Sequence, residues 1–194
     1  MQLQGSATAR ALLRLFGWRV AFAGLPARQG VVIVYPHTSN WDFVVGVLAK
    51  WSVGIPVAFW GKDRLFRLPV FGWWLRRLGG IPVDRGAPRG IVEPMARELV
   101  DAVAADRFLW LALSPEGTRR RTAAWRSGFY HVAVKANVPL ALVYFDYRDK
   151  VVGVDRFLRL SGDAAADMAA IARELGHRRG LRPERAGPIR LETR

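Results

Sequence analysis

The 194-residue chain carries a formal charge of +14, with 51% hydrophobic and 11% aromatic residues. That apolar content excludes wholesale disorder, and the length suits one domain with a proper core. So large a positive charge implies an anionic partner (nucleic acid, an anionic membrane or a phosphorylated ligand), while the absence of cysteine excludes disulfides, thiol catalysis and cysteine metal sites.

Residues 7–20 are expected to form an amphipathic helix. Leu12, Leu13, Phe16 and Val20 fall on one face, and Arg10 and Arg14 lie one turn apart on another. Two readings share that helix: a basic segment (residues 1–22) lying on anionic lipid with Trp18 near the headgroups, or an apolar face packed on the domain. ATARALLRLFGWRV places an arginine inside its apolar stretch and lacks the separate regions of a signal peptide. The stretch from Phe43 to Trp60 is interrupted by Lys50 and Pro56 and resolves into helix, turn and strand, so no transmembrane helix is expected.

The apolar, largely β-branched run Val31–Tyr35 predicts a buried strand ending at Pro36. Ser39, with Asp42 three places later, predicts a helix start with the serine as N-cap and the acid in the first turn. His37 then sits in the short connection between strand and helix, where a scaffold presents side chains to ligands. On a continuous helix, five positions would separate His37 and Asp42 by about 140°, taking roughly 100° per residue. The two can meet only if the chain turns between them, as Pro36–Asn40 allows. A carboxylate on one imidazole nitrogen would fix the tautomer and leave the other free to take a proton. The same pattern also fits a first-turn acid complementing the helix dipole beside a polar loop histidine.

Farther along, Ile55–Trp60 predicts a second strand. GKDRLFRLPVFGWWLRR predicts irregular helix, its aromatics interleaved with Arg64, Arg67, Arg76 and Arg77. That interleaving suits a nucleic-acid stacking surface, a membrane interface or a core with a basic rim. GGIPVDR reads as a short strand ending in a charged loop at Arg85. Pro88–Ala105 has a helical apolar stripe that Pro94 should kink or delay. Phe108–Leu113 reads as a buried strand delivering the polar loop SPEGTRRR, followed by a helix over Ser127–Asn137, a strand over Val138–Phe145 and a hairpin-like edge at Val151–Val154. A last helix is expected over Ala164–Leu175, and residues 176–194, basic and rich in Gly and Pro, as a loosely held tail. The alternation predicts a single-domain αβα sandwich over residues 23–175, with a largely parallel central sheet. In such sheets ligands collect at the loops leaving the strands' carboxyl ends, where His37, Arg85 and Glu116 all fall.

The chain has no G-x-S-x-G elbow, no phosphate-binding P-loop and no H-E-x-x-H. Three histidines without cysteine argue against a transition-metal site. What remains is a base without an attached nucleophile, so the substrate must bring its own. A hydroxyl deprotonated by His37 could attack an activated acyl group directly. Arg85 and Arg119 carry the group suited to gripping phosphate.

Taken together, these blocks resemble the lysophosphatidic acid acyltransferase family of glycerolipid acyltransferases. Its first block, N-H-x-S-x-x-D, is matched by Pro36-His37-Thr38-Ser39-Asn40-Trp41-Asp42. GGIPVDR is similar to the second block, with Arg85 its arginine. SPEGTR is similar to the third, F-P-E-G-T-R, at Pro115, Glu116, Gly117, Thr118 and Arg119, and Val138-Pro139-Leu140 to the fourth. Pro36 stands for the usual asparagine, Ser114 for an aromatic, and Arg126 where lysine is common.

The resemblance implies an acyl-CoA or acyl-ACP donor and a lyso-lipid acceptor of 1-acylglycerol-3-phosphate type, an aminolipid or another lyso-lipid being the alternative. It implies His37 as base and Asp42 as its partner, with Ser39, Arg85, Glu116, Gly117, Thr118 and Arg119 lining the acceptor site. No metal or resident cofactor is implied. The expected partners are an anionic membrane surface and, for one donor type, an acyl carrier protein; the expected place is the cytoplasmic face of the cell membrane. A nucleic-acid-binding module is the alternative from another class, but no groove-reading or base-stacking motif is matched.

Overall fold

The computed structural model describes residues 4–83 and 88–192. Its strands are β1 (Arg19–Ala21), β2 (Gln29–Tyr35), β3 (Ala58–Lys62), β4 (Gly80–Val83), β5 (Leu109–Leu113), β6 (Leu140–Asp146) and β7 (Val151–Leu158). Its helices are α1 (Ala7–Leu15), α2 (Trp41–Val53), α3 (Asp63–Phe66), α4 (Pro69–Arg77), α5 (Pro88–Ala104), α6 (Gly128–Ala136) and α7 (Ala164–Leu175). The strands form one sheet in the order β1-β7-β6-β2-β5-β3-β4. Every pairing is parallel except β6 with β7, which is antiparallel.

β2 lies at the middle, hydrogen-bonded to β5 on one side and β6 on the other. Its side chains alternate between two apolar layers, as the pleat demands. Val31, Ile33 and Tyr35 pack with Leu99 of α5, Phe129 and Val132 of α6 and Ile171 of α7. Val32 joins Ile55 and Trp110 on the opposite face, where a neighbouring cluster brings Leu13 of α1 against Val45 and Ala49 of α2. Helices therefore cover both faces, and the expected αβα sandwich with a largely parallel sheet is the observed fold. A parallel sheet needs such cover because crossover helices leave no face for water.

Local details depart from the sequence expectations in instructive ways. The first helix ends at Leu15, not Val20, because Gly17 adopts a left-handed conformation (φ +77°) that an L side chain resists. The chain then enters β1, a strand that periodicity alone had not predicted. β1 covers β7, so the expected edge at Val151–Val154 lies inside the sheet. Trp18 is 7% exposed and packed in the core, away from any headgroup position. Ile55 does not start a strand; its N–H donates to the carbonyl of Lys50 and closes the end of α2, so β3 begins at Ala58. α5 runs on through Pro94 from Pro88, with no delayed start.

The largest departure is at the carboxyl end. Residues 176–192, expected as a loose tail, form a strap across the carboxyl ends of β2 and β6. The Arg178 guanidinium lies 3.6 Å from the Tyr144 ring centre and binds Asp155. The Arg182 N–H donates to Thr38 Oγ1 at 3.2 Å, and the Tyr35 hydroxyl donates to the Gly187 carbonyl at 3.2 Å. Leu191 makes a β-bridge to Trp125. Gly- and Pro-rich composition marks irregular backbone, and irregular backbone can still be held by distant partners that composition does not record.

Candidate active site

The site starts where β2 runs out. Its Tyr35–Pro36 peptide is cis, and residues 37–40 form the bend that brings His37 back towards α2. The expected N-cap is corrected here: Asn40 holds the N-cap position without a side-chain bond, while Ser39 Oγ accepts from the Trp41 N–H at 3.1 Å. Asp42 organises the bend instead. Its Oδ2 accepts from the N–H groups of Thr38 and Ser39, both at 2.8 Å, which folds the loop over the carboxylate.

His37 Nδ1 then sits 3.2 Å from Asp42 Oδ2, in contact but off the straight line of a hydrogen bond. Asp42 is 1% exposed, and the His37 side chain keeps a partly open surface. The remaining carboxylate oxygen, Oδ1, accepts from the Tyr147 hydroxyl at 2.7 Å. A buried carboxylate costs free energy unless its lone pairs are occupied, and this one has donors on both oxygens. Its Oδ2 therefore faces Nδ1 of the imidazole across 3.2 Å.

The second loop, after β5, is tied to the first. Glu116 is 2% exposed and accepts from the His37 N–H through Oε2 at 2.8 Å and from the Gly187 N–H through Oε1 at 2.9 Å. Burial pushes its carboxyl above the usual range, against the pull of the Gly187 and His37 amides. This one side chain joins the β2 loop, the β5 loop and the strap. Gly117 has φ +64°, a left-handed conformation that glycine adopts without a side-chain penalty, and its N–H donates to the Ser114 carbonyl. Thr118 Oγ1 accepts from the Arg120 N–H at 3.3 Å. Arg119 has its Nε buried without a hydrogen-bond partner among the described residues. Arg85 lies outside the described residues.

The structure thus brings His37, Ser39, Asp42 and Glu116 together, with Gly117, Thr118 and Arg119 on the same loop as Glu116. Sequence reasoning missed Tyr147, Thr38 and Gly187. No local signal marks Tyr147 or Gly187, because each reaches the site through chain reversal rather than a motif.

The family model described as Acyltransferase matches residues 19–145. A chloroplastic 1-acyl-sn-glycerol-3-phosphate acyltransferase of Brassica napus is 31% identical over 109 residues, covering 54% of this chain and 30% of that protein. The 1-acyl-sn-glycerol-3-phosphate acyltransferase of Pseudomonas aeruginosa is 28% identical over 114 residues, covering 56% of this chain and 41% of that one. The chain spans about a third of the length of the first such relatives it matches. The solved structure of the 1-acyl-sn-glycerophosphate acyltransferase PlsC from Thermotoga maritima shares the fold, with a TM-score of 0.55 at 17% identity over 85% of this chain and 72% of that one. With more than half its length inside the matched model and the four sequence blocks in order along that span, the chain belongs to the acyltransferase family.

Proposed function

We propose that the protein moves a fatty acyl group from a thioester, acyl-CoA or acyl-ACP, to the hydroxyl of a lyso-lipid of 1-acylglycerol-3-phosphate type. The observation that carries this reading is the His37–Asp42 pair, buried on its acidic side and set at the carboxyl end of the central strand. His37 Nε2 takes the proton of the acceptor hydroxyl as its oxygen attacks the thioester carbonyl. Asp42 stabilises the imidazolium. The tetrahedral adduct collapses with cleavage of the C–S bond, and the imidazolium returns its proton to the leaving thiolate. No acyl-enzyme is needed, since the attacking oxygen belongs to the substrate. Arg119, with an unpaired buried Nε–H, supplies a donor for the acceptor's phosphate, with Arg85 as its partner by family resemblance.

An acyl chain in a bilayer requires the enzyme to meet the membrane. Among the described residues no helix is long and apolar enough to cross one. The molecule instead exposes large apolar side chains at the start of α2, next to Asp42 in the chain, and along α4 and its N-cap: Trp41 at 62%, Trp73 at 63% and Val70 at 81%, with Leu68 and Phe71. Phe43 of α2 meets Trp74 of α4 edge-on at 6.1 Å, so the two helices are in contact. With Arg64, Arg67, Arg76 and Arg77 exposed along the same stretch, these side chains suit peripheral docking on an anionic leaflet, such as the cytoplasmic face of the cell membrane. α1 exposes Leu12 and Leu15, with Phe16 just past its end, so the N-terminal helix remains a second candidate for the same docking role.

The test is a panel of lyso-lipids and acyl thioesters with purified protein, read by mass spectrometry, beside a His37→Ala variant. Transfer should be lost in the variant while binding to anionic liposomes persists. Normal turnover by His37→Ala would remove the dyad from the chemistry. Release of free fatty acid with no acylated product would replace transfer by hydrolysis.

A further inference from the structure

Tyr147 belongs to none of the four sequence blocks and lies past the matched span of residues 19–145. It sits in the turn between β6 and β7, 105 positions from Asp42. Yet its hydroxyl meets Asp42 Oδ1 at 2.7 Å, and among the described residues it is the one donor to that oxygen. The other oxygen faces the Thr38 and Ser39 amides and the imidazole. The carboxylate plane is therefore pinned at both ends. A carboxylate held only through Oδ2 could turn about its Cβ–Cγ bond, and Oδ2 would then leave the imidazole.

The phenol is itself held from other directions. Trp18, just after α1, presses edge-on to its ring at 4.8 Å between centroids and 89° between planes. Its backbone N–H donates to the Arg179 carbonyl of the strap at 2.8 Å. Burial first, and the hydrogen bond to Asp42 second, push the hydroxyl far above its ordinary pKa, so it stays a donor.

From this geometry we infer that Tyr147 is a positioning residue of the dyad: it locks the plane of the Asp42 carboxylate and through it the tautomer and direction of the His37 imidazole. The inference rests on the reading of His37 as the base. It gives Trp18 and the strap a place in the same assembly, because they hold the ring that holds the acid.

The test compares the wild type, Tyr147→Phe, Asp42→Asn and the double variant, since phenylalanine keeps the ring against Trp18 and removes only the hydroxyl. Tyr147→Phe should lower kcat about tenfold, the scale on which such outer partners act, with KM for both substrates unchanged. In the Asp42→Asn background the same change should alter kcat by less than about twofold, because the group it orients is already gone. Nitrogen-15 NMR of the His37 ring supplies a readout that needs no turnover: one tautomer protonated on Nδ1 in the wild type, a mixture in Tyr147→Phe. Wild-type kcat together with an unchanged ring spectrum in Tyr147→Phe would overturn the inference, as would equal losses in both backgrounds. A wild type that transfers no acyl group, while the ring spectrum still changes in Tyr147→Phe, would sink the acyltransferase reading and leave the role of Tyr147 standing.

Discussion

Glu116 offers the sharpest prediction, because family resemblance and geometry assign it different work. Resemblance places it in the acceptor site; the structure has its two oxygens occupied by the amides of His37 and Gly187. Glu116→Ala strands both N–H groups in a buried setting, at about 1–3 kcal/mol each, or roughly 4 kcal/mol in total. For a domain of this size that corresponds to a fall in Tm of about 12 °C. Glu116→Gln keeps one accepting oxygen and turns an NH2 towards the other amide, so about half that loss is expected. Since one stranded amide is His37's own, the loop that aims the imidazole loosens, and kcat should fall while the acceptor KM stays near its wild-type value. Thermal melts of the three proteins, paired with steady-state kinetics, read both quantities. An alanine variant as stable as the wild type, with a raised KM confined to phosphate-bearing acceptors, would refute the clamp and return Glu116 to substrate binding.

Other outcomes follow from separate features. Arg119→Ala removes one charge-assisted donor worth about 1.5–3 kcal/mol, so kcat/KM should fall roughly ten- to a hundredfold for phosphate-bearing acceptors and little for uncharged ones; an equal loss for both would argue against phosphate recognition. Trp73→Ala with Val70→Glu should weaken binding to anionic vesicles by roughly tenfold or more, taking about 1.5 kcal/mol or more per buried apolar side chain, and leave turnover of dispersed substrate unchanged. Unaltered vesicle sedimentation would move the docking face elsewhere. Asp167 provides a pH test. Burial alone would raise its carboxyl, but donors from Ser161, Tyr130 and Gly162 hold it below its ordinary value. A lowered folded value means stabilisation that is complete above about pH 3.9, the ordinary value, and lost as pH falls through the folded one. Urea midpoints should drop more steeply on acidification in the wild type than in Asp167→Asn; matching slopes would exclude this carboxylate as the source.

The His37–Asp42 pair shows how far local reading reaches. Their spacing and the Pro36–Asn40 bend made contact possible, since a turn of five residues is a local matter. The N-cap was misjudged because the same carboxylate that approaches His37 also takes the Thr38 and Ser39 amides, and local polar groups compete for one another in ways propensity does not rank. β1 was invisible for a related reason. Three residues carry no usable period, and their pairing with β7 depends on a strand more than a hundred positions away. The strap was misread because its bonds to Thr38, Glu116 and Tyr35 all run to distant segments.

What the chain determined by itself was the alternation of buried runs and amphipathic helices, hence the sandwich, and the chemistry-bearing blocks at the strands' carboxyl ends. Burial pattern and turn chemistry are short-range properties, written within a dozen residues. What only the tertiary structure decided was which donors satisfy the buried carboxyls: Tyr147 on Asp42, Gly187 on Glu116. A buried acid must find partners once water is gone, and which groups lie within 3 Å is set by the closure of the whole sheet.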